Sequence, residues 1–402
     1  MAQTRNTRLR LAGAVTAATT AAVLSAITLP AQAAPAEGRI LGAGSPGSVG
    51  GSYIVTLKTG SGGILAPSEA GSDLAEQYGA DIRHTYSTAL NGYAVRATEA
   101  QAKRLAADPN VASVVQDTMV SLDQTQTNPT WGLDRLDQPG LPLNKSYTYP
   151  ESAGSGVKVY VIDTGIRTSH KDFGGRASSG WDFVENDATA QDGNGHGTHV
   201  AGTVAGGQYG VAKKAKVVGV RVLDNAGSGT TAQVIAGIDW VTKNARKPAV
   251  ANMSLGGYAN AQLDAAVRNS IASGVTYAVA AGNDGLPTNL YSPARVAEAV
   301  TVGATDVKDA RASFSNWGPG LDLFAPGVAI SSTWNTGDTA TKTISGTSMA
   351  TPHVAGAAAL YLADHASATP AAVSAALTAK AVQGKVTGAG LATPNRLLQV
   401  NN

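Results

Sequence analysis

The sequence predicts a three-layer α/β/α domain with a mainly parallel central sheet, preceded by a small ferredoxin-like α+β unit. After Trp131, near-continuous apolar strands are separated by helical segments, as in a parallel sheet covered on both faces. Residues 52–122 instead show the order strand, helix, strand, strand, helix, strand. The chain has 47 glycines and 14% charged residues, against a typical charged fraction of about 25%. This composition favours a compact core of small side chains.

The first 33 residues (1–33) are predicted to be a secretory signal peptide. Three arginines between residues 5 and 10 precede an apolar run from Leu11 to Leu29, and residues 31–33 form an Ala-x-Ala cleavage site. A membrane anchor is the alternative, but five threonines and serines dilute the run. Residues 34–51 are rich in Gly, Ser and Pro and are predicted to be a linker. A Gly-x-Gly-x-x-Gly match there follows no strand, so we do not expect a dinucleotide site.

Residues 52–122 supply the strands and helices of the smaller unit. We predict helices over about residues 67–78 and 100–107, and Thr98 with Gln101 fits a capping box at the start of the second one. The predicted strands are 53–58, 81–86, 92–97 and 111–122. The polar, Pro-containing stretch 124–130 is predicted to be a linker suited to cleavage.

The larger unit, residues 124–402, alternates strands and helices. The predicted strand and helix pairs are 157–162 with 199–206, 216–223 with 232–244, 250–254 with 261–273, and 275–281 with 299–305, and a last helix covers 371–381. Ligands of such sheets bind at the carboxyl ends of the strands. Asp163, Ser254 and Asn283 each follow a predicted strand, so we expect them to converge on one crevice.

Ser348 follows the tight turn Gly346-Thr347 and precedes a small-sided apolar helical run, residues 354–360. Backbone N–H groups and the positive end of the helix dipole surround a hydroxyl at this position. Such an environment suits a nucleophile, because attack on a carbonyl creates an oxyanion that needs nearby donors. An N-cap serine is the structural alternative.

Two further tracts supply the partners that a serine nucleophile needs. Asp163 ends the apolar tract 159–162, and His196 lies in a glycine-rich loop that enters a second small-residue helix. A histidine takes the hydroxyl proton, and an aspartate fixes the tautomer of the histidine and stabilises the imidazolium. The chain order Asp163, His196, Ser348 therefore indicates serine acyl transfer.

The tracts around these three residues resemble the signature blocks of the subtilisin-like serine peptidases (family S8), and their order is that family's order. The tracts 131–133, 209–213 and 314–316 are most similar to its proteinase K and aqualysin branch. Residues 52–122 resemble the inhibitor I9-type propeptide of the family, with a permanent accessory domain as the alternative. The resemblance implies a secreted, broad-specificity endopeptidase made as a self-processing zymogen. Its own propeptide would be both intramolecular chaperone and inhibitor.

The same resemblance implies roles for further residues. Asn283 would complete the oxyanion hole with the backbone N–H of Ser348. Two segments would pair with the substrate and line the pocket for the residue before the cut: Ser254, Leu255 and Gly256, and Ala280, Ala281 and Gly282. The small, uncharged walls of this pocket favour aromatic and aliphatic side chains.

Structural calcium is also implied by the resemblance. One set of ligands is the Asp322 carboxylate with the carbonyls of Ala297 and Ala299. A second set is Asp134, Asp137, Gln138 and Asn144, where the branch often has Asp at the last position. The chain has no cysteine, which excludes disulfides, a thiol nucleophile and Cys-ligated metals. Packing or oxygen-ligated cations must then stabilise a secreted form.

The other histidines are not expected to act in catalysis. His199 lies three residues after His196, but no carboxylate follows at zincin spacing, so we predict a structural role. His353 is predicted to pack within the helix that carries Ser348. His170 and His365 lie in polar segments and are predicted to be at the surface.

Two other classes of function fit the sequence less well. A catalytically inactive peptide-binding homologue would not need an intact set of catalytic residues. A nucleotide-dependent oxidoreductase would need a Gly-x-Gly-x-x-Gly between a strand and a helix. The net charge of +2 gives no reason to expect nucleic acid or a membrane as partner. We expect a monomer that acts on proteins and peptides.

Overall fold

The computed structural model describes residues 37–44, 48–59, 63–118 and 123–400. The predicted signal peptide, its cleavage site and part of the predicted linker lie outside these ranges. Within them, no helix combines the length and the hydropathy that a membrane span requires. The chain divides into two compact units, one built mainly on residues 50–116 and the other on residues 117–402.

The first unit is a five-stranded sheet with two helices. Its elements are β1 (Ile40–Leu41), β2 (Ser48–Leu57), α1 (Glu69–Gln77), β3 (Asp81–Tyr86), β4 (Gly92–Arg96), α2 (Glu99–Ala106) and β5 (Val111–Thr118). The strand order β1-β5-β2-β4-β3 gives the four main strands the predicted ferredoxin-like arrangement. β1 and the start of β2 fall within the predicted linker. Residues 119–122 of the last predicted strand lie outside the described residues.

An apolar core of its own holds this unit together. Leu74 of α1 and Leu105 of α2 are buried in one cluster with Val55, Tyr93 and Val114 of the sheet. The predicted capping box at the start of α2 is confirmed, since the Thr98 hydroxyl accepts the Gln101 N–H and the Gln101 side chain accepts the Thr98 N–H. A separate core is what a segment needs to fold as a domain.

Among the described residues, the second unit has one nine-stranded main sheet and three two-stranded sheets. Its strands are β6 (Asp123–Thr127), β7 (Ser146–Pro150), β8 (Lys158–Asp163), β9 (Ala177–Asp182), β10 (Lys216–Arg221), β11 (Ala249–Met253), β12 (Gly257–Tyr258), β13 (Thr276–Ala280), β14 (Tyr291–Ser292), β15 (Val300–Thr305), β16 (Leu323–Pro326), β17 (Ile330–Thr333), β18 (Thr341–Ile344), β19 (Val382–Gln383) and β20 (Arg396–Leu397). Its helices are α3 (Trp131–Leu136), α4 (His196–Ala205), α5 (Thr231–Asn244), α6 (Ala261–Ala272), α7 (Thr347–Asp364) and α8 (Pro370–Lys380). The main sheet has the order β19-β20-β16-β15-β13-β11-β8-β10-β9, and every pair except β19–β20 is parallel.

Two stretches differ from the sequence-based prediction. Residues 299–305, predicted as a helix, form strand β15 between β13 and β16, so that prediction is wrong. Every residue of β15 is buried, and Val300, Thr301 and Val302 are β-branched residues that favour a strand in such a place. The predicted linker 124–130 is also partly regular, because β6 pairs with β7 in an antiparallel two-stranded sheet.

Alternate residues of the parallel strands face two separate helix layers. Tyr160 and Ile162 of β8 belong to a core shared with α5 and α6. Val159 and Val161 of the same strand belong to a second core shared with α4, α7 and α8. This period of two, with apolar residues on both faces, is the pattern of a sheet covered on each side. The predicted three-layer α/β/α architecture is confirmed.

Helix α7 lies inside the molecule and packs against α4, α8 and strands β8, β11, β13, β15 and β16. Small residues allow this close approach. A β-carbon at Gly356 would lie 2.6 Å from a carbon of Val211, and one at Gly202 of α4 would lie 2.3 Å from the Thr333 hydroxyl. The sequence therefore brings the N-terminal ends of α4 and α7 to the same edge of the sheet.

Candidate active site

The predicted crevice forms at the carboxyl ends of three neighbouring strands. Asp163 is the last residue of β8, Ser254 directly follows β11, and Asn283 lies three residues beyond β13. These strands are adjacent in the sheet, in the order β13-β11-β8. Helices α4 and α7 begin at this edge and bring His196 and Ser348 to it.

His196 and Asp163 form a partly buried hydrogen-bonded pair. His196 Nδ1 lies 2.8 Å from Asp163 Oδ1, and the Asp163 side chain is fully buried while that of His196 is 26% exposed. Burial alone would lower the pKa of His196. The charge of Asp163 and its hydrogen bond outweigh burial and raise that pKa above its ordinary value. The pair is therefore arranged to accept a proton on the free Nε2.

Ser348 is the second residue of α7, and its hydroxyl is tied to the end of β11. Ser348 Oγ donates to the carbonyl of Ser254 at 3.0 Å, and Ser254 Oγ donates back to the Ser348 carbonyl at 2.8 Å. Proton transfer to His196 requires the Ser348 hydroxyl to leave the Ser254 carbonyl. Catalytic hydrogen bonds are often completed only when substrate is bound.

Two N–H donors face one small space beside Ser348. A β-carbon at Gly346 would lie 3.6 Å from the Ser348 backbone nitrogen and 3.7 Å from Asn283 Nδ2. Asn283 is held in this orientation because its Oδ1 accepts both the backbone N–H and the hydroxyl of Thr347, at 2.8 and 2.9 Å. The arrangement suits an oxyanion that forms next to the serine.

A cavity of about 370 Å³ opens beside Ser348, and both predicted substrate segments except Ser254 line it. Five further residues line it that sequence reasoning did not assign to the pocket: Tyr258, Asp284, Tyr291, Ser292 and Thr347. Tyr258 is 83% exposed and stacks on Tyr291 with ring centres 5.8 Å apart. The pairing of β12 with β14 places Tyr258 and Tyr291 at the pocket. No local sequence pattern predicts this pairing.

A second cavity, of about 590 Å³, extends from His196 and is also lined by residues 254–258. Residues 226–229 form part of its wall, with Leu223, Val234 and Leu263 among its apolar lining. Ser254 lines this cavity, so all six predicted substrate-binding residues border one of the two cavities. An extended peptide that lies along residues 254–257 would contact both cavities.

Asp322, which was predicted to bind calcium, is half-buried. Its carboxylate accepts the Thr301 N–H at 2.8 Å, beside the segment that carries the carbonyls of Ala297 and Ala299. Burial raises the pKa of Asp322 to about 6 although the Thr301 hydrogen bond opposes this shift. A bound cation would relieve the cost of the buried charge.

The four residues of the second predicted set also lie together. The Asn144 N–H donates to Asp134 Oδ1 and to Gln138 Oε1, each at 3.2 Å, and Asp137 Oδ2 accepts the Thr148 N–H at 2.6 Å. Burial raises the pKa of Asp137. Asn144 contributes its backbone N–H to this cluster, while its side-chain oxygen accepts the N–H of Ser146.

The remaining histidines are structural. His199 is buried and its Nε2 faces the carbonyls of Ile330 and Lys342, and burial lowers its pKa to about 4. His353 is buried against the Met349 carbonyl, and its pKa is likewise lowered to about 4. Among the described residues, no group of three or more His, Cys, Asp and Glu side chains is arranged to hold a metal.

His170, predicted at the surface, is buried instead. Its Nε2 lies 2.9 Å from the Ala340 carbonyl, and its ring packs edge-on against Phe173. Its polar neighbours Ser169 and Lys171 are exposed, so the polarity of the adjacent residues did not indicate the burial of His170. His365 is half-buried and stacks on Tyr361.

An α/β sheet that gathers a serine at a helix start, an Asp–His pair and two amide donors at one edge defines the class of serine hydrolases. The chain belongs to the subtilase family, whose model matches residues 154–397 as peptidase S8. Residues 52–123 match the peptidase inhibitor I9 family.

Relatives of known function extend this match over nearly the whole chain. An extracellular serine proteinase of Thermus sp. (strain Rt41A) is 49% identical over 394 residues, which cover 94% of this chain and 96% of that protein. Alkaline serine exoprotease A of Vibrio alginolyticus is 52% identical over 77% of this chain and 59% of its own length. The crystal structure of a cold adapted subtilisin-like serine proteinase aligns with a TM-score of 0.67 and 55% identity, over 69% of this chain and all of that one. The protein is a secreted serine endopeptidase.

Proposed function

We propose that Ser348 is the nucleophile, His196 the general base and then the general acid, and Asp163 the carboxylate that orients His196. The observation that carries the proposal is the 2.8 Å contact between His196 Nδ1 and Asp163 at the strand edge where α7 presents Ser348. Asn283 Nδ2 and the Ser348 N–H, which face one space, would hold the oxyanion.

The reaction proceeds in two halves, formation of an acyl-enzyme and its hydrolysis. His196 removes the Ser348 proton as Oγ attacks the scissile carbonyl, and then gives that proton to the leaving amine, which produces an acyl-enzyme. Water, deprotonated by His196, then attacks the acyl carbonyl. The ester bond to Ser348 Oγ breaks, His196 returns the proton to Oγ, and the new carboxyl group is released. Asp163 stabilises the imidazolium in both halves and holds its Nδ1 proton.

The substrate specificity we propose is broad, with a preference for apolar and aromatic residues before the cut. The substrate backbone would add as a strand along residues 254–257. Uncharged Ala280 and Ala281 and the stacked rings of Tyr258 and Tyr291 support an apolar pocket, and Asp284 places one carboxylate in its lining.

Calcium is proposed as a structural ion. Asp322 with the carbonyls of Ala297 and Ala299 would hold the first ion, and Asp134, Asp137, Gln138 and Asn144 a second. Asp322 is half-buried and Asp137 is buried, and burial raises the pKa of both carboxylates, which supports both sites. Bound calcium would stabilise the folded state and take no part in peptide hydrolysis.

The chain organisation we propose is a signal peptide at 1–33, a linker at 34–51, an inhibitory propeptide at 52–122 and a catalytic domain at 124–402. The mature enzyme would act as a monomer on proteins and peptides, without nucleic acid or membrane partners. The separate core of the first unit and its match to an inhibitor family support the propeptide role.

Replacement of the nucleophile tests the proposal. We expect Ser348→Ala to abolish hydrolysis of casein and of a peptide p-nitroanilide, and to leave the precursor uncut, because one hydroxyl serves both reactions. Precursor length is followed by mass spectrometry after expression in a host that lacks other extracellular proteases. A Ser348→Ala protein that still matures alone would contradict the assignment.

Addition of the separate propeptide tests its role. We expect residues 52–122, expressed alone, to inhibit the mature enzyme and to raise the yield when denatured residues 124–402 refold, because binding only the native form lowers its free energy. A fragment of residues 52–122 unfolded by Leu105→Asp is the matched control. Equal refolding with the two fragments, and no inhibition by either, would rule out the proposed role.

A further inference from the structure

A second buried carboxylate, Asp192, lies in the loop that leads into His196. It accepts five hydrogen bonds from four residues. Oδ1 accepts the Thr164 hydroxyl at 2.8 Å and the N–H groups of Asn194 and Gly195 at 2.9 and 2.7 Å. Oδ2 accepts the N–H and the hydroxyl of Thr198 at 2.9 and 2.6 Å. Both oxygens act only as acceptors, which is the hydrogen-bonding pattern of an ionised carboxylate.

These bonds join the two chain segments that carry Asp163 and His196. Thr164 follows Asp163, and its N–H donates to Asp163 Oδ1 at 2.7 Å. The hydroxyl of Thr164 donates to Asp192 and also accepts the N–H of Gly197, next to His196, at 2.9 Å. The relative position of the carboxylate and the imidazole therefore depends on Asp192, although Asp192 touches neither side chain.

No cationic side chain of the described residues pairs with Asp192. Among the ion pairs between described residues, none includes Asp192, whereas the buried Asp182 pairs with Arg221 at 2.6 Å. The charged or titratable groups that face His196 are Asp163, Asp192 and the buried His199, and Lys342 lies beyond His199. Apart from neutral His199, the near neighbours of the imidazole are both negative.

We propose that Asp192 is a positioning residue of the catalytic reaction: it fixes the Asp163–His196 pair through Thr164 and supplies a second negative charge that favours the imidazolium. The inference rests on the catalytic roles proposed above. Burial lowers the pKa of His196, while Asp163 first and Asp192 after it raise that pKa. A positive imidazole forms in both halves of the reaction, so a fixed negative charge nearby lowers the barrier without binding substrate.

Replacement of Asp192 by asparagine removes its charge and replaces one acceptor oxygen with a donor. We expect Asp192→Asn to lower kcat by roughly tenfold or more with KM nearly unchanged, because the pair is misaligned and the charge is lost. The acid limb of the kcat/KM–pH profile should move to lower pH, since the imidazolium has lost one negative neighbour. Asp182→Asn removes another buried carboxylate of the same domain, one neutralised by Arg221, and should leave that limb unmoved.

Thr164 variants test the link while the charge stays in place. Thr164→Ala should lower kcat without moving the acid limb, and Thr164→Ser, which keeps the hydroxyl, should restore kcat. All variants are matured in trans by a trace of tagged parent enzyme, which is then removed, and rates are expressed per titrated active site. If Asp192→Asn does not fold, the downfield His196 imidazole proton is titrated by NMR in the Thr164 variants and parent.

The outcomes distinguish this inference from the proposed triad. An acid limb in Asp192→Asn equal to that of the parent, or an equal shift in Asp182→Asn, overturns the role of Asp192. A Thr164→Ala enzyme with parental kcat overturns the link, and so does a His196 imidazole proton signal that is unaltered in it. Activity retained in Ser348→Ala would instead overturn the triad itself.

Discussion

At the scale of single residues, the site depends on side chains that hold the reacting groups without reacting. Thr347 is the clearest case, because it donates twice to Asn283 Oδ1 and its hydroxyl accepts the Gly282 N–H at 3.2 Å. Asn283 can then present only its Nδ2 to the oxyanion. Thr347 itself is fully buried at the start of α7.

The Thr347 hydroxyl should matter for turnover more than for binding. We expect Thr347→Val to lower kcat by roughly tenfold with little change in KM, because the Asn283 amide loses one of its two fixed partners. Thr347→Ser keeps the hydroxyl and should stay close to the parent. Steady-state kinetics on one p-nitroanilide substrate compare the three enzymes. A valine variant with parental kcat would show that the backbone bond alone is sufficient.

Local sequence patterns predicted Asp163, His196, Ser348 and Asn283 as site residues, because each lies at or near a strand or helix end close to glycine, where a reactive group can be exposed. Asp284 and Tyr258 were not assigned to the pocket. Their positions depend on β12 pairing with β14 and on the turn after β13, which are tertiary features. His170 was misplaced for the same reason, since the segment that buries it is about 170 residues away in the chain.

At the scale of elements, the alternation of strands and helices was predictable, since buried parallel strands read as continuous apolar runs. β15 was assigned wrongly because a short apolar run fits a buried helix as well as a buried strand. Sequence order also says nothing about which helix end approaches which strand. That approach is decided by small residues such as Gly202 and Gly356, where α4 and α7 lie against their neighbours.

The contact at Gly356 should tolerate no side chain. A β-carbon there would lie 2.6 Å from Val211, so Gly356→Ala should destabilise the domain by about 1–3 kcal/mol through overpacking. Gly140→Ala is the matched control, because no atom lies within 4 Å of its added β-carbon. Urea unfolding of the two variants in a PMSF-inhibited background measures the difference. Equal destabilisation in both would contradict the packing explanation.

At the scale of the whole molecule, stability has to come without disulfides, because the chain has no cysteine. Asp322 shows what calcium would add. Its folded-state pKa, about 6, lies above its ordinary value because of burial. In the calcium-free protein, the stability that comes from protonated Asp322 is therefore lost as pH rises through about 6. Calcium, which binds the ionised form, would offset that loss.

The stabilising effect of calcium should therefore depend on pH. We expect the Tm difference between calcium and EGTA to be large at pH 8 and to shrink as pH falls through about 6, because protons then compete for Asp322. Asp322→Asn should remove most of the difference, while Asp239→Asn, which breaks an exposed pair with Lys243, should keep it. The activity measured at once after EGTA addition should stay near that of the untreated enzyme. Identical melting curves in calcium and EGTA at pH 8 would refute the site.

The burial of α7 affects how well the protease resists cleavage by other copies of itself. An opening that frees Ser348 and its helix must also separate five strands and two helices, so it amounts to global unfolding. The amide hydrogens of α7 should then exchange with solvent as slowly as any in the protein. Exposed loop tips open at far lower free energy, and self-digestion should begin there. The catalytic centre should therefore be the last part of the enzyme that a neighbouring copy can cleave.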